Sequence, residues 1–102
     1  MFKDIITYEL DDGIDEQQLL AVAGEIIDSW MSKQAGFIRW DIHKDTIGDG
    51  YTDIVYWETR EAAQAAEQQM ANIPNAADWF SCYKEGSIGS QNLAQIGSFK
   101  KA

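Results

Sequence analysis

His43 is the only histidine of the chain, and histidine is the side chain whose ordinary pKa places proton transfer near neutral pH. An imidazole held by a carboxylate can serve as a general base, taking a proton from a phenol or from a carbon beside a carbonyl. Asp53 is the candidate carboxylate. His43 shares its strand parity with Phe37, Arg39, Asp41 and Asp45, while Asp53 shares its own with Tyr51, Val55 and Trp57. A long loop between the two strands would let His43 and Asp53 face each other; a two-residue Asp49-Gly50 loop would not. Tyr8, a phenol in the first apolar stretch, is the third candidate for catalysis. The competing reading of His43 is a solvated residue near a hairpin end, because no second histidine or nucleophile reinforces it and a working site needs converging groups.

Trp57 and Trp40 fall on adjacent strands, where aromatic walls would suit a flat ring ligand. Ordinary core packing is the default explanation for both, as it is for Trp30 on a helical stripe. Arg39 is a candidate substrate-binding residue; alternatively Arg39 and Asp41 form cross-strand ion pairs or contacts at a dimer interface. Cys82 stands alone, which excludes an internal disulfide and a thiolate metal cluster. Its neighbours Ser81 and Tyr83 offer no base, so it reads as a buried thiol. One histidine and no cysteine pair leave no metal-ligand spacing. Gly86-Ser87-Ile88-Gly89-Ser90 lacks the lysine and the following helix of a phosphate loop. No metal or cofactor is expected.

The elements that must position these residues follow from periodicity. Phe2 to Leu10 is rich in β-branched and aromatic residues and is stopped by Asp11-Asp12-Gly13, which predicts a strand and a turn. From Asp15, a plausible N-cap, Leu19, Val22 or Ala23, Ile26 or Ile27 and Trp30 recur at helical spacing to about Gln34. Gly36 caps the end. Phe37 to Asp45 and Tyr51 to Glu58 read as a hairpin around Thr46-Ile47-Gly48-Asp49-Gly50. Thr59 caps a second helix with an alanine-rich run, Ala62 to Ala66, that ends before Pro74. Asp78 to Glu85, with Trp79, Phe80 and Tyr83, reads as the last strand, and Asn92 to Ile96 as a helical turn in a C-terminal extension, 89–102. Strand, helix, hairpin, helix, strand is the ferredoxin-like β-α-β-β-α-β order, an α+β fold with a four-stranded antiparallel sheet and both helices on one face.

The 102 residues make one domain. With 17 acidic against 8 basic side chains and a net charge of -9, the chain repels nucleic-acid phosphates and anionic lipid, so neither is an expected partner. Lys3, Asp4 and Glu9 interrupt the N-terminal apolar residues, which is unlike a signal peptide, and a cytoplasmic location is expected. The strands do not alternate cleanly between apolar and polar. Ile5-Ile6, Phe37-Ile38 and Ile54-Val55-Tyr56-Trp57 place large apolar groups on both faces, and two helices cover only one. A second copy, packed sheet to sheet on a two-fold axis, is the economical cover.

The order of elements, Gly36-Phe37 opening the second strand, and Ile54-Val55-Tyr56-Trp57-Glu58-Thr59 running into Glu61-Ala62-Ala63 resemble the dimeric α/β-barrel superfamily. Within it they are similar to the antibiotic biosynthesis monooxygenase domains, over roughly residues 1–88. The resemblance implies a homodimer binding a small aromatic molecule. Members oxidise polyphenolic rings without a cofactor, degrade haem, isomerise lactones, or have no known activity. Haem degraders use a histidine and a tryptophan in or near the second helical region, where this chain has Ala65, Ala66, Gln68 and Met70. The expected function is cofactor-independent oxidation of an aromatic or polyketide-like molecule, with Tyr8 and Trp57 matching the family's site by residue type. The alternative is a ligand-binding or stress-related dimer without turnover.

Overall fold

The computed structural model describes residues 1–102. β1 (Phe2–Glu9) ends where the chain turns at Gly13, whose φ of +81° is open to glycine at little cost. α1 (Glu16–Ser29) begins with a reciprocal capping box between Asp15 and Gln18, and runs into a 3₁₀ turn, Met31–Lys33. Gly36 then reverses the chain at φ +80°. A Cβ there would lie 2.6 Å from the Cβ of Ala62, so the glycine also permits a close approach. β2 (Phe37–Lys44) and β3 (Gly50–Trp57) form the hairpin. The Thr59 side chain caps α2 (Arg60–Gln68), and a 3₁₀ turn, Met70–Asn72, leads to α3 (Ala76–Ser81) and β4 (Gly89–Ala94).

All pairings are antiparallel and the strand order is β2-β3-β1-β4, the ferredoxin-like sheet. The fourth strand is not where the aromatic residues suggest. Asp78 to Ser81 belongs to α3 instead, with Trp79 on its buried side, Cys82 its C-cap and Tyr83 in a lone bridge to Leu10 beyond it; Trp79, Cys82 and Tyr83 are buried at three- and four-residue spacing. The true edge strand, Gly-Ser-Gln-Asn-Leu-Ala, lies in the segment expected to be an extension with a helical turn, and it pairs only with β1. Such residues have low strand propensity; the backbone ladder recruits them.

The hairpin register places Ile42 opposite Asp53 and His43 opposite Thr52. Its four-residue loop is closed by Asp45 N–H donating to Gly50 O and by Lys44 Nζ donating to Gly48 O. A bulge between Phe37 and Arg39 shifts the parity of β2, so Phe37 packs edge-on to Trp57 on the same face as Trp40. One sheet face, with Phe2, Tyr8, Tyr51, Asp53, Val55 and Trp57, is buried under the helices. Ile5, Ile54 and Tyr56 occupy the other, half-buried with no helix over them. No helix is long and apolar enough to cross a membrane.

Candidate functional site

A cavity of about 210 Å³ separates the helices from the sheet. β1 contributes Asp4 and Ile6, β2 Trp40, and β3 Val55 and Trp57; Ser90 and Asn92 of β4 form the edge. The roof is Trp30 and Met31 at the end of α1, Ala63, Ala66 and Glu67 of α2, Met70, and Trp79 of α3. All four tryptophans of the chain therefore line one space. The space exists because the α2 residues facing the sheet are alanines, which bring the helix in without filling the gap. An apolar cavity of roughly 150 Å³ holds benzene, so this one has room for a substituted ring.

Two tryptophan walls are fixed from behind by a buried polar network. Asp53 is fully buried and accepts from Tyr8 Oη at 2.9 Å and from Trp40 Nε1 at 3.0 Å. Tyr8 packs on Tyr83 with ring centroids 4.3 Å apart, and Tyr83 Oη accepts from Trp79 Nε1 at 2.6 Å. Trp79 in turn packs on Trp40 at 5.6 Å. Burial pushes the Asp53 carboxyl up to about 6, against the two donors from Tyr8 and Trp40 that favour its charge. Burial and the nearby Asp53 raise the Tyr8 phenol above its ordinary value, so Tyr8 remains a donor near neutral pH.

The titratable groups that touch the cavity itself are Asp4 and Glu67. Burial raises the Asp4 carboxyl, the Trp57 indole N–H opposes the rise, and the Glu67 charge adds to it. Trp57 Nε1 is buried without a partner in full hydrogen-bond geometry, yet it lies close enough to Asp4 to favour the ionised form.

No protein-family model and no curated protein matches the sequence. Solved structures do match in shape. A monooxygenase of Streptomyces coelicolor, ActVA-Orf6 in complex with nanaomycin D, superposes with a TM-score of 0.75 at 16% identity, over 99% of this chain and 92% of that one. SnoaB, a cofactor-independent oxygenase of Streptomyces nogalater, gives 0.76 at 14% identity, over 98% and 97%. The chain shares the fold of the antibiotic biosynthesis monooxygenase-like proteins.

Within that fold the residues singled out from sequence part company. Trp40 and Trp57 line the cavity; Tyr8 and Asp53 stand one layer behind it. His43 does not meet Asp53. A shift of one residue in register separates strand faces, and His43 lies on the open face, where its Nδ1–H donates to Thr52 O at 3.0 Å. Arg39 is there too, paired with Asp41 of its own strand at 3.0 Å rather than across strands, with its guanidinium 4.2 Å from the Tyr56 ring centroid. Cys82 is buried, its Sγ 3.3 Å from Asp78 O. Asp4, Glu67, Trp79 and the β4 residues were not foreseen. For Asp4 a signal existed: it shares strand parity with Phe2, Ile6 and Tyr8, so an acid stands on an inward-facing stripe.

Proposed function

We propose that this chain is a homodimeric enzyme that oxidises a small aromatic molecule with dioxygen and no cofactor, at the cavity between sheet and helices. The observation that carries the reading is the meeting, in one half-open cavity, of four indole walls and a carboxyl of raised pKa. Indole surfaces hold a flat ring by apolar contact. Asp4, once ionised, is a general base for a phenolic proton, and its raised pKa brings it nearer the phenol's and makes that transfer easier. The electron-rich phenolate then reduces dioxygen. One oxygen atom ends on the ring, which becomes a quinone, and the other leaves as water with the two hydrogens the ring has lost. Trp40 and Trp57 bind the ring, and Asp53 with Tyr8 are positioning residues that hold Trp40. The monooxygenase and cofactor-independent oxygenase of like fold support this chemistry.

Oxygen uptake with a panel of hydroxylated naphthalenes and anthracenes tests the reading. Asp4→Asn is expected to lower kcat by about 100-fold, the usual weight of a general base, with KM little changed. An unchanged kcat would remove Asp4 from the chemistry. The second reading, a ligand-binding dimer without turnover, draws on the absence of histidine from the cavity lining; ring binding with no oxygen uptake across the panel favours it.

A further inference from the structure

The lining of the cavity has a charge character that its aromatic content conceals. It contains two carboxylates, Asp4 and Glu67, and no lysine, arginine or histidine. The remaining polar contributions from side chains are Ser90 and Asn92 at the edge and the indole N–H groups. Two of the four indole N–H groups are spoken for. Trp40 Nε1 is bound to Asp53 and Trp79 Nε1 to Tyr83, both outside the cavity lining. The positive edges of these two indoles are thereby turned away from the space they border, which leaves their carbon rings to a ligand. The faces of such rings are the negative part of the aromatic quadrupole. Trp57 Nε1, buried without a partner in full hydrogen-bond geometry, favours the ionised form of Asp4.

We propose that the cavity selects organic cations: a ring-bearing amine or quaternary ammonium, with its positive nitrogen by Asp4 and Glu67 and its carbon skeleton against the indoles. This rests on reading the cavity as the ligand site and goes further by naming the charge of the substrate. The alternatives meet opposition. An anionic ring would bring a third negative charge beside two carboxylates in a partly desolvated space, and a neutral ring would leave their mutual repulsion unrelieved. A cation offsets that repulsion and gains from the indole faces. The chain's net charge of -9 draws cations toward it as well.

The test uses the whole chain and three probes of one shape family: benzyltrimethylammonium, its neutral carbon isostere neopentylbenzene, and phenylacetate. Dissociation constants come from calorimetry and from the fluorescence of the four tryptophans that line the site. The ammonium is expected to bind at least about tenfold more tightly than the isostere, as a desolvated cation–π site allows, and phenylacetate more weakly than either. Asp4→Asn should shrink the preference for the ammonium while leaving the isostere's affinity in place. Glu67→Gln, at an exposed helix position that the fold does not depend on, should shrink it in the same direction, so the outcome does not hang on one variant folding. Equal or tighter binding of the isostere or of phenylacetate overturns the charge selectivity and leaves the cavity as a ligand site. An ammonium preference untouched by both substitutions overturns the assignment to the carboxylates. Failure of all three probes to bind overturns the cavity as the site, and the inference with it.

Discussion

Asp53 is a fully buried acid with no cation bonded to it; its hydrogen-bond partners are two neutral donors. Neutral donors offset only part of the loss of water, so the folded chain holds the Asp53 proton up to about pH 6, against an ordinary value of 3.8. The sign follows from proton linkage. Between those values the folded state binds more protons than the unfolded state, so stability from this group is full below about pH 4 and is lost as pH rises through about 6. The difference is worth about 2–3 kcal/mol. Asp53→Asn removes the titration. Whatever the variant loses in hydrogen bonding at low pH, its stability relative to the unsubstituted chain should improve by about 2–3 kcal/mol between pH 4 and pH 7.5. Urea unfolding at the two pH values measures this, and a constant gap would mean that Asp53 titrates normally. Sequence alone brings out Asp53, Tyr8 and Trp40 as types able to do chemistry. It does not show that they serve one another, because their joining depends on the register of β1, β2 and β3, and register is fixed by a four-residue loop and a bulge that local pattern leaves open.

At the scale of elements, α2 decides whether there is a site. Its capping Thr59 and its alanine run are both legible in the sequence, and so is the reason for them, close approach to a sheet. That close approach leaves a void is not legible, since it depends on how far Trp30, Trp57 and Trp79 reach from three other elements. The same limit hides β4. An edge strand of glycine and polar residues is specified by the backbone groups that β1 leaves free, whereas α3 carries aromatics that imitate a strand when only residue type is weighed. The role of α2 can be tested by filling the void. Ala66 is buried and lines the cavity. Ala66→Leu adds its methyl groups to empty space rather than to a packed core, so stability should change by less than about 1.5 kcal/mol. Ligand affinity should fall by tenfold or more, read by the tryptophan titration beside an unfolding curve. A variant that binds as before would place the ligand elsewhere.

At the scale of the whole molecule, the sheet is a two-faced object with one face covered. Ile5, Ile54 and Tyr56 lie half-buried on the open face, with Lys3 and Arg39 placed over the Tyr56 ring at 5.4 and 4.2 Å. These stems shield the aromatic ring but leave the central isoleucines of paired strands, Ile5 opposite Ile54, without cover. A second sheet packed on this face would bury them and leave the cavity, on the opposite face, unobstructed. Like charge opposes the assembly, since each copy carries -9; screening by salt weakens that repulsion while apolar burial persists. Two outcomes follow. The chain should sediment at twice its mass of 11.5 kDa at micromolar concentration, and the dimer should tighten as salt rises from low to physiological strength. Ile54→Lys, which puts an ammonium at the centre of the face, should give a folded monomer, because removing an apolar contact and inserting a charge each act against association. Sedimentation of the unsubstituted chain at its single mass would mean that the open face is covered by something other than itself.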